Sequence, residues 1–181
     1  MCNILIIYMQ SLFADILSVL AMTYSDTQPR GTLRYRLLSA SLLPVSSKIT
    51  EPGSWGHEYV RHLAAELGEE YTFRTDEDGI EPAAPSDDAP KDAIEAPPVR
   101  PAEVVGTIQD LRDLGIECAK FLLAHNAEPD AVDLLEELEI VHKIAELVDD
   151  NTYVRVTQYM VRLVARSSSN WVHAEINRIA A

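Results

Sequence analysis

Glycine is scarce in this chain, with seven in 181 residues. There is no Gly-x-x-x-x-Gly-Lys-Ser/Thr and no Gly-x-Gly-x-x-Gly, so the loops that cradle phosphates and dinucleotides are missing. Cysteine is scarcer. Cys2 and Cys118 stand far apart, with neither a disulfide framework nor metal-ligand spacing. That usage suits a reducing compartment, cytoplasm or nucleus. Positive charge is short as well: 15 Lys and Arg against 29 Asp and Glu give a formal net charge of -14. Nucleic-acid binding draws on cations to neutralise phosphates, and anionic membrane surfaces make the same demand. Both are excluded as expected partners, whereas a protein with a basic face is favoured in encounter. No segment alternates polar and apolar residues over 4–8 positions, so strands are not expected either.

What the chain does have is apolar periodicity at helical spacing. Hydrophobic residues make up 47%, enough to bury a core. Residues 2–22 are the most apolar stretch. Asn3, Gln10, Ser11, Asp15 and Ser18 interrupt it, and the first basic residue is Arg30. A signal peptide wants a basic start, and Asp15 at mid-bilayer costs about 2.5–3.5 kcal/mol. A core helix is therefore expected, with Phe13, Ile16, Leu17 and Leu20 on one face. Leu33, Leu37 and Leu38 mark a second helix, and Pro44–Gly53 a loop. A third follows from Ser54, the expected N-cap, with Trp55, Tyr59, Leu63, Leu67 and Tyr71 four apart.

Between Asp76 and Glu95 there are eight acidic residues and one Lys, and 75–101 holds six of the ten prolines. Such a segment cannot repay the entropy of ordering, so a disordered acidic linker is expected. Beyond it, Val104, Ile108, Leu111, Cys118 and Leu122 trace a helix that Asn126 stops. Glu128-Pro129 opens another, with Pro suited to the first turn and Leu134, Leu135 and Leu138 as its core side. Val141, Ile144, Ala145 and Val148 follow, and Asp149-Asp150-Asn151 offers a cap for a helix carrying Tyr153, Thr157, Met160, Val161 and Val164. Trp171, Val172, Ile176 and Ile179 suggest a last short helix. The expected fold is all-α: a solenoid-like array of antiparallel helix pairs interrupted by the linker. Its parts are helices over 1–74, the linker at 75–101, a helical array over 102–166 and an atypical tail at 167–181.

Catalytic groups are hard to assemble. His57-Glu58 resembles the start of a zinc-protease helix, but Arg61 stands where the second His belongs. His62 lies five residues on, about 500° around a helix. Ser54, His57 and Glu58 could be drawn as a hydrolytic triad, yet they share one turn and diverge, and no Gly-x-Ser-x-Gly elbow exists. His125, His142 and His173 are isolated and read as packing or surface residues. No catalytic, metal-binding or cofactor-binding residue is assigned, no cofactor is expected, and the chain is not expected to be an enzyme. Trp55, Tyr59 and Tyr71 are either a binding hot spot or, by the preferred reading, buried packing.

Three strings carry a resemblance: FADILSVLAM at 13–22, GSWGHEYVRHLA at 53–64 and HNAEPDAVDLL at 125–135, with NTYVR at 151–155 in support. In this order the chain resembles, over residues 12–165, the N-terminal helical region of the large non-ATPase base scaffold of the 26S proteasome regulatory particle, a proteasome/cyclosome-repeat family. The resemblance implies an α-solenoid, a non-enzymatic role in ubiquitin-dependent degradation, ATPase subunits of the base as partners, and residence in cytoplasm and nucleus. Docking surfaces for ubiquitin receptors lie mainly in the family's toroid and are not expected here. Residues 1–10 and 167–181 depart from the family pattern and 41–52 resembles an enlarged loop, so a truncated product is expected. The alternative is an independent helical adaptor that binds a basic partner through residues 76–98 of its acidic linker.

Overall fold

The computed structural model describes residues 2–24, 29–43, 51–77 and 104–166, and every regular element among them is helical. In chain order they are α1 (Cys2–Ala21), α2 (Gly31–Leu42), α3 (His57–Glu77), α4 (Ile108–Ala124), α5 (Glu128–Glu137), the single turn α6 (Ile144–Leu147) and α7 (Tyr153–Arg166). Each packs on its neighbours in a layered array, α1 on α2, α2 on α3, α3 on α4 and α5, and α5 on α7. The expected all-α, solenoid-like architecture is observed. Residues 78–103 and 167–181, which include most of the acidic segment, His173 and the expected last helix, lie outside the described residues.

The stripe that is four apart on α3 is the spine of the core. Tyr59, Leu63, Leu67 and Tyr71 are buried, with Val60 alongside. They meet Leu33 and Leu37 of α2 on one side and Leu111, Cys118 and Leu122 of α4 on the other. Leu134, Leu135 and Leu138 extend the cluster, and Val156 and Met160 of α7 close it. One core therefore spans the helices before and after the acidic segment. Close approach of α4 to the end of α5 depends on Gly115, where an added Cβ would sit 2.2 Å from Cδ1 of Leu138.

Helix ends follow local chemistry. Thr107 caps α4: its hydroxyl accepts from the Asp110 N–H at 3.2 Å, and the Asp110 carboxylate accepts from the Thr107 N–H at 2.6 Å. The Thr107 hydroxyl also donates to that carboxylate at 2.8 Å, and the two bonds the carboxylate accepts, the backbone one first, hold it below its usual range. Asn126 ends α4 as expected, in the left-handed region at φ 58. The N–H of Ala127 then reaches the Leu122 carbonyl at 2.9 Å, which satisfies a carbonyl the helix would leave open. Pro129 occupies the first turn of α5. Asp149 accepts from the Thr152 N–H at 2.9 Å and leads into α7.

Three expectations need correction. Ser54 is not a helix cap. It lies exposed in a 3-10 turn (Pro52–Trp55), and Gly56 at φ 93 turns the chain before α3 begins at His57. Val104 is buried but precedes α4. The third concerns α1. Of the face expected to be buried, Phe13 is 61% exposed and Ile16 and Leu20 also face out, while Leu17 is half-buried. The buried side is Ser11, Ala14, Asp15, Ser18 and Ala21. Small side chains at this spacing let α1 approach α2 closely, and the polar ones are each satisfied across the seam. Arg36 donates to Asp15 at 2.8 Å, Ser11 meets Ser39 at 3.0 Å, and Ser18 donates to the Thr32 carbonyl at 2.7 Å. Partners descend along α2 as they ascend along α1, so the two helices are antiparallel.

Candidate functional site

The residues singled out for chemistry start near the N-terminus of α3, and the structure disperses them. His57 opens the helix and is partly exposed, while the Glu58 side chain is 81% exposed, with 4.0 Å between His57 Nδ1 and Glu58 Oε1. Arg61 reaches away to Asp130 of α5 at 3.0 Å. His62 bonds Glu66 at 3.0 Å, and the other Glu66 oxygen accepts from the Leu33 N–H at 2.7 Å. That carboxylate serves an open N–H in the first turn of α2, so His62 is a support for α2. Ser54 belongs to the preceding turn. A hydrolytic reading of these groups has no geometry behind it.

What does assemble beside His57 is a ring cluster that sequence spacing hides. Phe121 of α4 stacks on His125 at 3.9 Å between centroids, and the His57 ring lies 6.1 Å from Phe121 and 6.2 Å from His125. His125 is tied through Nδ1 to the Phe121 carbonyl at 2.7 Å. The rings pin the start of α3 to the end of α4. Among the described residues no group of three or more His, Cys, Asp or Glu is placed to hold a metal ion.

The aromatic stripe is packing with polar ends. Tyr59 shares a 2.8 Å hydrogen bond with Ser18 of α1, and burial pushes its hydroxyl up to about 12. Tyr71 donates to Glu139 at 2.9 Å beyond α5. Trp55 is partly buried against the core. The Cys118 thiol is likewise raised to about 12 by burial, which leaves almost no thiolate at neutral pH. These groups lock helices together and offer nothing to a substrate.

The available surfaces are grooves and faces. A shallow cavity of about 680 Å³ runs beside α3 and is lined by Arg30, Gly68, Glu69, Phe73, Asp76 and Glu137 among others. Its charges are tied down or mutually repelling. Arg30 pairs with Glu70, and Glu137 is held above its usual range by burial and by the neighbouring charges of Asp133, Glu136 and Glu69. Apolar surface is exposed at both ends of the array. On α7 it is Tyr153, Val154 and Val161, and on α1 it is a longer stripe. The α1 stripe was overlooked because its residues read as core. The signal that could have found it is the second stripe, Ser11, Ala14, Asp15, Ser18 and Ala21, at the same spacing on the opposite side. By length and composition α1 could cross a membrane, over Leu5–Tyr24.

Comparison with known proteins places this surface-bearing array. The profile of the RPN1 N-terminal domain matches residues 7–174, wider at both ends than the 12–165 suggested by the sequence strings. Among curated relatives, the 26S proteasome regulatory subunit RPN1 of Candida glabrata is 41% identical over 155 residues, covering 86% of this chain and 14% of the relative. The 26S proteasome non-ATPase regulatory subunit 2 of Dictyostelium discoideum is 36% identical over 149 residues, 82% of this chain and 13% of the relative. Homolog B of that subunit in Arabidopsis thaliana is 35% identical over 152 residues, 84% and 13% respectively. The chain thus spans about one-seventh of the length of these relatives.

Proposed function

Since this chain belongs to the RPN1 N-terminal domain family, we propose that it works as a non-catalytic scaffold element of the proteasome regulatory particle, by protein–protein contact in ubiquitin-dependent degradation. The observation that carries this reading is the match over residues 7–174 together with relatives whose names are those of proteasome regulatory subunits. The geometry agrees: His62 supports α2 through Glu66, and His57 and His125 join Phe121 between α3 and α4. An array in which Tyr59, Tyr71, His57 and His125 hold helices together is suited to presenting surfaces.

The partners proposed are ATPase subunits of the base, in cytoplasm and nucleus. Docking of ubiquitin receptors is assigned to the larger part of the relatives, which this chain does not span. The parts proposed at 1–74 and 102–166 act as one unit, since their helices share a core. Co-expression of the tagged chain with the base ATPases tests the assignment. We expect at least one ATPase to co-purify in stoichiometric amount. Failure to retain any of them under conditions that keep the ATPase ring intact would defeat it.

A further inference from the structure

The outward side of α7 carries a groove, and we propose that its occupant is the chain's own next segment, residues 167–181, folded back along the helix. The groove, of about 380 Å³, is lined by Tyr153, Val154, Thr157, Gln158, Val161 and Arg162. Tyr153, Val154 and Val161 are 43–52% exposed there, while Val156 and Met160 on the inner side are fully buried in the core. Among the described residues, α7 is packed on one side and open on the other.

Residues 167–181 follow α7 directly and have the pattern the groove calls for. They open with Ser-Ser-Ser-Asn, a short polar connection in which Asn170 is of a type that caps helices. Val172, Ile176 and Ile179 then stand four and three apart, which is one side of a helix. Ala174 and Arg178 fall on the other side, so the apolar side can be covered while that charge stays in water. A helix over 171–181 is about 16 Å long, against about 14 Å along α7 from Tyr153 to Arg162. Helices joined by so short a connection are antiparallel neighbours. Counting outward from the middle of the connection sets Ile176 level with Val161, and Ile179 lies further on, towards Thr157 and Val154.

Tethering decides in favour of this segment over a separate occupant. Held by a short connection, it meets the groove at an effective concentration on the order of millimolar. A second copy or another protein has to overcome that advantage by affinity. Seating the segment takes the exposed apolar residues of α7 out of water, as a capping unit does at the edge of a helical array. While it is seated, α7 is closed as docking ground for other proteins. This inference stands apart from the proteasome assignment, since it rests on α7 and the residues that follow it.

Hydrogen exchange on the purified full chain reads the contact. Amides of residues 175–181 should exchange at least roughly tenfold more slowly than those of an unstructured segment. Val161→Glu puts a charge into the groove without entering the core, since Val161 is 52% exposed. It should remove that protection and leave the amides of α3 as slow as before. Ile176→Glu should do the same from the other side of the contact. A cross-link provides a second reading that does not depend on those variants. In a Cys2→Ser background, Val161→Cys/Ile176→Cys should close an intrachain disulfide with copper phenanthroline roughly ten times faster than Val161→Cys/Arg178→Cys, because only the first pair brings its Cβ atoms within bonding reach. A segment that exchanges freely in the wild type, protection that survives both glutamate variants, or equal closure at positions 176 and 178 would each overturn the proposal. A disulfide that forms between chains and not within one would overturn it in favour of a second copy.

Discussion

The two halves of the array use opposite rules for what goes inside. Where α3, α4 and α5 meet, the seam is built of large apolar side chains, Leu63, Leu67, Leu111, Leu122 and Leu135. Where α1 meets α2, the seam is built of small and polar side chains, Ser11, Asp15, Ser18, Arg36 and Ser39, and Leu12, Phe13 and Leu20 of α1 lie outside. The first interface is held by removing apolar area from water, worth about 1.5–3 kcal/mol for each large side chain fully buried. The second is held by close approach of small residues and by hydrogen bonds that are costly to leave unmade. A helix with two usable stripes is assigned by what its neighbour offers. Arg36 and Ser39 of α2 select the polar side of α1, and the apolar side is left facing out.

Breaking the second interface should cost the most. Asp15→Ala removes the carboxylate from a buried ion pair with Arg36, and such losses run about 3–5 kcal/mol, a large share of the 5–15 kcal/mol typical of a domain. Chemical denaturation should show this as a lower midpoint at unchanged slope. The apolar interface should lose somewhat less from its own deletion: Leu111→Ala is expected to cost about 2–5 kcal/mol, depending on how far the site collapses. Asp15→Leu with Arg36→Met, which makes the polar seam resemble the apolar one, should recover most of the loss seen in Asp15→Ala.

Two helical glycines sharpen the same contrast between packed and open ground. At Gly115 an added methyl meets Leu138 inside the core, so Gly115→Ala should cost about 1–3 kcal/mol by overpacking. At Gly68 the atom met is the Glu137 carboxylate, 2.0 Å from the ideal Cβ position, at the end of a side chain free to swing into solvent. Gly68→Ala should therefore be neutral or gain up to about 1 kcal/mol from the stiffer unfolded chain. Thermal melts of the two variants should move in different directions.

The smallest effects come from titration. The Asp110 carboxyl is lowered by its Thr107 bonds, so its contribution is present above the ordinary carboxylate range and is lost as pH falls through its folded value. Thr107→Ala should cost about 1 kcal/mol at neutral pH, and the gap from wild type should narrow below about pH 4. Glu137 behaves in the opposite sense. Its raised value, due to burial and then Asp133, means that ionisation opposes folding, and the penalty fades as pH falls from neutrality through that value. Glu137→Gln should raise the melting temperature slightly at pH 7 and have no effect near pH 4.

Much of the array could be read in advance where one signal stood alone. The α3 stripe from Tyr59 to Tyr71 was legible because no competing stripe exists, and Asn126 was legible as a stop because few residues besides glycine accept the left-handed conformation. The Thr107–Asp110 cap was present in the sequence and went unread while Val104 was counted as helical. Other features have no local signature. His57 and His125 are 68 residues apart in sequence, and only the packing of α3 on α4 brings their rings together. The candidate site failed for the same reason in reverse: Ser54, His57 and Glu58 are adjacent in sequence, but Gly56 and the helix turn separate their side chains. On α1 both stripes were visible, and hydrophobicity alone favoured the wrong one for the interior.

The orientation of α1 is the claim on which the contrast rests, and a double-mutant cycle on Asp15 and Arg36 tests it most directly. Denaturation of wild type, Asp15→Ala, Arg36→Ala and the double variant gives the coupling between the two side chains. Burial of the pair, with 2.8 Å between Arg36 and Asp15, predicts a coupling of about 2–3 kcal/mol. Additive losses, with coupling near zero, would mean that Asp15 faces away from α2 and that the leucines of α1 point inward after all.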